Sequence, residues 1–160
     1  MIVIIVFIAV AIALFLGSFF TKRRFGLLGL ALTAGATLSV LWGDYAGLIV
    51  SMTGVVEGAD MANAVGRSLV VLLPAVLLLF HGYTYKSMVG RIYGSLVFTI
   101  LALAFLIEPI GFALPLTDGA SQVYNFLVNN QEIIISAGVA LAIIDIFFTK
   151  PVKNEKDKRR

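Results

Sequence analysis

A row of small residues, Ala31, Gly35, Ser39, Gly43, Gly47 and Ser51, recurs every fourth position through the stretch Phe25 to Ser51. Leu30, Leu32, Leu38, Val40, Leu41, Leu48 and Ile49 lie between its members. Residues four apart share one face of an α-helix, so the row predicts a shallow groove into which a second helix packs backbone to backbone. On a helix of 3.6 residues per turn such a row drifts by about 40° per step. Six members therefore cannot all face one straight partner. The groove either wraps around a crossing helix or meets two neighbours in succession, one expected inside the chain and one outside it.

Composition places that helix in a bilayer. Of the 160 residues, 60% are hydrophobic and 13% charged, and mean hydropathy is +1.02. Soluble domains carry about 45–50% apolar and about 25% charged residues. The fold class expected is all-α, a polytopic helical membrane protein. The absence of cysteine removes disulfides, thiolate metal sites and cysteine nucleophiles together. No basic–aromatic alternation points to nucleic acid, and the basic residues read as topology signals.

In chain order, five membrane helices are expected at about 2–20, 25–45, 68–85, 92–107 and 133–148. The first has no basic residues ahead of its apolar run, which argues against a cleaved signal peptide, and Lys22, Arg23 and Arg24 follow it. The second leaves the membrane near Trp42, Asp44 and Tyr45. Ala46 to Val56 stays apolar and can be helical, interfacial or re-entrant. Glu57, Asp60 and Asn63 read as a polar loop. Pro74 lies inside the third helix, and Glu108-Pro109 ends the fourth. Ser121 to Val128 reads as a short surface helix with Val123, Phe126 and Leu127 against the membrane. Residues 150–160 form a basic tail, expected to be disordered and cytoplasmic.

The charges divide by side. Lys22, Arg23, Arg24, Lys86, Arg91 and the basic residues of the tail fall on one side of this five-helix layout. Asp44, Glu57, Asp60, Glu108, Asp118 and Glu132 fall on the other, joined by a single basic residue, Arg67. The positive-inside rule then sets the N-terminus out and the C-terminus in.

Asp145 is the one acidic residue placed within an apolar run, between Ile144 and Ile146. It is a candidate for an ion or proton path, together with His81, the lone histidine. Its shallow depth favours an interfacial carboxylate paired with Lys86, Arg91 or Arg24. A His–Asp pair near Ser87 or Thr149 matches a hydrolytic triad in residue type alone. With no nucleophile elbow and no second imidazole, no catalytic residue, metal site or cofactor is assigned. Arg67 is expected to form an outer ion-pair cluster with Glu108, Asp60 or Asp44. Among the Gly-xxx-Gly spacings, Gly43–Gly47 belongs to the small-residue row and Gly90–Gly94 opens a helix. Both read as helix-packing positions, and neither sits in a phosphate-loop context.

Two short segments carry a family resemblance: the turn Lys22-Arg23-Arg24-Phe25-Gly26, and Gly90-Arg91-Ile92-Tyr93-Gly94-Ser95 at the head of the fourth helix. Over roughly Phe19 to Leu106 the layout resembles the colicin V production protein family of bacterial inner-membrane proteins. The chain differs by its fifth helix with a basic tail, and by lacking an Arg-Gly pair at Phe98-Thr99. The resemblance implies an envelope or secretion-associated role in a bacterial or archaeal cytoplasmic membrane, and no catalytic residues. The function expected is that of a non-enzymatic subunit or scaffold of a larger membrane assembly. Its partners would be the lipid bilayer and other membrane subunits or further copies of itself. A channel or transporter component using Asp145 and His81 is the alternative.

Overall fold

The computed structural model describes residues 2–81, 84–85, 87–113 and 118–148. The tail 150–160, Thr149, Lys86 and Pro115 lie outside the described residues. Six helices follow in order: α1 (Ile2–Thr21), α2 (Phe25–Met52), α3 (Ala59–Leu79), α4 (Met88–Ala113), α5 (Asp118–Asn129) and α6 (Gln131–Phe147). No strand occurs among the described residues. Three stretches, Phe25–Met52, Ala59–Leu79 and Met88–Gly111, are long and apolar enough to cross a membrane.

Helix boundaries depart from the hydropathy reading where polar residues or proline enter a helix. α2 continues unbroken through Ala46 to Met52, so that part of the ambiguous segment is helical. It stops at a six-residue turn in which Gly54 (φ 67°) and Gly58 (φ 93°) take the left-handed backbone that glycine alone adopts without strain. α3 begins at Ala59, well before the expected residue 68. Asp60 and Asn63 are thus helical rather than looped, because Asn63, Gly66 and Arg67 pack this first stretch against Gly43 and Gly47 of α2. α3 ends at Leu79 instead of Tyr85.

α4 runs through Glu108-Pro109 to Ala113. A proline removes one backbone donor, and helices tolerate this where another group takes up the loosened carbonyls. The donor missing at Pro109 is the one the Phe105 carbonyl would use, and Gln131 Nε2 braces the same turn by donating to the neighbouring Ala104 carbonyl at 3.2 Å. α5 covers the expected surface helix and starts at Asp118.

α4 is the central element, touching α1, α2, α3, α5 and α6. Its buried Phe98, Leu101, Ala102 and Leu106 meet Phe25, Leu28, Ala31 and Leu32 of α2, Val71 and Ala75 of α3, and Ala142 of α6. The outward surface is also apolar. On α1, Ile5, Ile8, Ile12, Leu16 and Phe20 form an exposed stripe at the three- and four-residue steps of one helix face. Val40, Leu41, Leu48 and Ile49 of α2, and Ile143, Ile144 and Phe147 of α6, are exposed as well. Soluble monomers rarely expose contiguous apolar patches larger than a few hundred Å². A bundle apolar both inside and outside suits a lipid solvent.

Candidate functional site: two polar ends of the bundle

The most extensive helix contact is between α2 and α3, and the small-residue row lies along it. A methyl group added to Gly35 would run into the Val71 backbone carbonyl. Ser39 Oγ reaches the Arg67 carbonyl at 3.5 Å. A Cβ on Gly43 would sit 2.8 Å from Arg67 Cγ, and one on Gly47 would sit 2.8 Å from Asn63 Cα. The approach is reciprocal, since a Cβ on Gly66 of α3 would lie 2.5 Å from the Gly47 nitrogen. Ala31 is buried in the common core, and Ser51 is exposed, its hydroxyl turned back to the Leu48 carbonyl. The neighbour of Gly35 through Gly47 is therefore α3. The second neighbour of α2 is α6, met at Gly26 and Gly29 by Ala142. Both helices packed on α2 at these glycines belong to the chain itself. The atoms nearest a Cβ on Gly90 or Gly94 do not come from a second helix. These two glycines seat the ring of Tyr85, the last described residue before Ser87 and α4.

The bundle has a basic end, where the turn after α1, the segment between α3 and α4, and the end of α6 converge. Its chemistry is that of helix capping. A helix leaves its last carbonyls and first N–H groups without internal partners, and carries partial negative and positive charge at those ends. Arg91 Nη2 donates to the Phe19 carbonyl of α1 at 2.9 Å, its guanidinium 4.5 Å from the Phe19 ring centroid. Arg23 donates to the last carbonyls of α3, through Nε to Leu79 at 2.8 Å and Nη2 to Phe80 at 2.7 Å. The first N–H groups of α2 find oxygen. Phe25 N–H donates to the Tyr85 hydroxyl at 3.1 Å, and Gly26 N–H to Asp145 Oδ2 at 2.9 Å. Tyr85 also shares a side-chain hydrogen bond with Asp145, and its ring lies beneath Arg24, 5.5 Å from the guanidinium carbon.

A short backbone link fixes the register. Arg23 and Thr84 form an antiparallel bridge, and Tyr85 N–H donates to the Lys22 carbonyl at 2.8 Å. Lys22 takes left-handed backbone (φ 58°) to make this turn, a conformation that costs a side-chain-bearing residue about 1–2 kcal/mol. Burial is the main influence on Tyr85 and pushes its hydroxyl above the ordinary value, against the lowering effect of the Phe25 N–H. The phenol thus stays protonated, with a proton to give to Asp145.

Asp145 is the α6 residue that caps α2, and the structure does not join it to His81. The His81 side chain is exposed and has no hydrogen-bond partner among the described residues.

At the acidic end, Arg67 pairs with Asp44 through Nη2 at 2.7 Å. Glu108 is exposed and makes no ion pair with a described residue. Asp60 forms none either, but lines a cleft of about 150 Å³ with Asn63, Ala64, Arg67 and Pro109. Between the two ends no charged side chain is buried among the described residues; Ser95 and Thr99 of α4 are the buried polar ones there, the Thr99 hydroxyl donating to the Ser95 carbonyl at 2.8 Å. No group of three or more possible metal ligands occurs among the described residues.

Tyr85, Arg23 and Arg91 are the functional residues that sequence reasoning missed as caps. Arg23 reads in the sequence as a topology charge, and Arg91 as a topology charge or a partner for Asp145. For Tyr85 the signal was Gly90–Gly94, whose missing side chains fit a ring as well as a helix.

These features define an all-helical chain with three helices able to cross a membrane, closed at one end by side-chain caps. Compared with known proteins, it matches no family model, no curated relative and no solved structure.

Proposed function

We propose that the chain is a five-span integral membrane protein, N-terminus out and C-terminus in, that acts as a non-enzymatic subunit or scaffold of a larger membrane assembly. The observation that carries this reading is the division of labour among its side chains. Arg23, Arg91, Tyr85 and Asp145 at the basic end are engaged in capping helices, the buried core between the ends holds no charged residue among those described, and the lateral surface is apolar on α1, α2 and α6. α1 and α6, of 20 and 17 residues, supply the two further spans, at about 30 and 26 Å against a hydrocarbon layer of about 30 Å. The orientation follows from the gathering of Lys22, Arg23, Arg24 and Arg91 at one end. Arg67, the exception, is offset by Asp44.

An envelope or secretion-associated assembly in a bacterial or archaeal cytoplasmic membrane is the setting that the resemblance to the colicin V production family suggests. A proton or cation path through Asp145 and His81 gains no support from the geometry. The carboxylate is held by Gly26 N–H, and the imidazole stands apart and exposed.

Native mass spectrometry and cross-linking in mild detergent test the reading. Complexes with other subunits or with further copies are expected, and a stable unassociated monomer refutes it. Because the chain has no cysteine, single cysteines at Glu57 and Ser87 report the topology directly. The first should label from outside and the second only from within.

A further inference from the structure

The cleft at the acidic end is not consumed by helix packing or capping. Asp60, Asn63 and Arg67 line it from α3 at steps of three and four residues, hence from one face of that helix, and Pro109 of α4 closes the opposite wall. The Arg67 Nη2–Asp44 bond occupies part of the guanidinium, and its Nε is buried against Gly43. A guanidinium carries five N–H donors, so the Nη1 edge remains for another acceptor. The Asn63 amide oxygen lies against Gly47, leaving its amide nitrogen as a second donor.

Arg67 and Asp44 cancel in charge, and Asp60 adds an unpaired carboxylate. An anion alone would confront Asp60, and a small cation alone would leave both donors without an acceptor. The group that answers all three is a zwitterion, an ammonium joined by a short linker to a phosphate.

Depth points to where such a group comes from. Gly43, on which Arg67 rests, is eighteen residues along α2 from Phe25 at the basic end, about 27 Å at 1.5 Å per residue. Across a hydrocarbon layer of about 30 Å, that is the level of the opposite headgroups.

We propose that this cleft binds the headgroup of an ethanolamine phospholipid, its ammonium on Asp60 and its phosphate on Arg67 and Asn63. The assignment rests on the membrane reading above. A cleft of about 150 Å³ takes a headgroup and leaves the acyl chains outside on the apolar flank. Choline lipids fit less well, because three methyl groups remove every ammonium N–H and add bulk beside Asp60.

The test uses the full chain reconstituted in vesicles of equal parts phosphatidylethanolamine and phosphatidylcholine, then released for native mass spectrometry. The ethanolamine lipid should be retained about fivefold over the choline lipid, the factor that one partly exposed ion pair supplies. Asp60→Asn should bring the ratio to near one with an unchanged unfolding midpoint. Glu57→Gln, in the adjacent turn outside the cleft, should leave the preference intact. Excess free O-phosphoethanolamine separates the two sources of the same chemistry: retention of lipid against it supports the lipid form, and its binding without any lipid preference overturns that form. Equal retention of both lipids by the unaltered chain, or an undiminished preference in Asp60→Asn, overturns the proposal. Flotation with the vesicles scores insertion separately. A chain that does not float refutes the membrane reading together with the lipid form, whereas one that floats without lipid preference refutes the cleft assignment alone.

Discussion

Asp145 is where a structural and a transport reading of this protein separate. Its carboxylate accepts the Gly26 N–H at 2.9 Å, at the second residue of a 28-residue helix. A hydrogen bond to a charged group contributes about 1.5–3 kcal/mol, and the helix-dipole interaction about 0.3–1 kcal/mol, more when partly buried. The two describe overlapping parts of one contact, so about 2 kcal/mol is the expected loss in Asp145→Ala. Asp145→Asn keeps an acceptor oxygen and loses the charge, and should lose about half as much.

Gly26→Ala attacks the same junction from the other side, since its Cβ would lie 2.6 Å from the Ala142 carbonyl and push α6 away. Because both changes act on one α2–α6 contact, the double variant should be less destabilised than the sum of the two. Equilibrium unfolding in mixed micelles measures these differences, and proton flux in reconstituted vesicles is followed in parallel. An Asp145→Ala variant as stable as the unaltered chain refutes the capping role. A proton flux in the unaltered protein that vanishes in Asp145→Asn refutes the scaffold reading in favour of transport.

Gly35→Ala places a methyl on the Val71 carbonyl and should cost about 1–3 kcal/mol, while Ala34→Leu, on the exposed neighbouring position, should stay within about 0.5 kcal/mol in the same unfolding assay. Tyr85→Phe removes a hydroxyl that accepts from Phe25 and bonds Asp145, and should destabilise by about 1 kcal/mol at neutral pH. The Tyr85 hydroxyl is raised above its ordinary value of 10.0, so its contribution is present in full below that pH and is lost as pH rises through the higher folded value. The stability gap between the native chain and Tyr85→Phe should therefore narrow only in strong alkali; a gap that closes between pH 6 and 8 contradicts the assignment. A double-mutant cycle on Arg67→Gln and Asp44→Asn should return a coupling of about 0.5 kcal/mol, because both side chains are substantially exposed.

The helices were legible because each apolar run is long and bounded by charge or turn residues. What hydropathy could not give was the character of the boundaries. Asp60, Asn63 and Arg67 look like loop or interface residues when polarity is averaged along the chain. The face buried against α2 is formed by Asn63, Gly66 and Arg67 at steps of three and one, two of them polar, so averaged hydropathy does not reveal it. Glu108-Pro109 reads as a stop by local rules, yet α4 continues to Ala113, with Gln131, distant in sequence, bonded to the Ala104 carbonyl in the preceding turn. The small-residue row announced close helix contact but not the identity of the partner, which depends on tertiary pairing. Arg23 and Arg91 carried a topology signal that concealed a second use. Nothing local to either residue indicates that its guanidinium ends on the carbonyls of a helix far along the chain.

Those long-range caps also limit how this protein can meet others. Arg23 reaches α3 across 56 residues, Arg91 reaches α1 across 72, and Asp145 reaches α2 across 119. Each joins a helix end to a remote segment, so these three side chains are already tying this chain together. In the assembly proposed above, lateral contacts would fall to apolar faces such as the Ile5, Ile8, Ile12, Leu16 and Phe20 stripe. In lipid, apolar faces gain nothing from leaving water, and helix association rests on shape and close packing. Association through these faces would thus be selected by fit rather than by polar recognition, and detergents that coat apolar surface would dissolve it. The glycine groove that first marks the sequence seats α3, and in the assembly proposed above the contact would fall to the branched and aromatic residues on the outside.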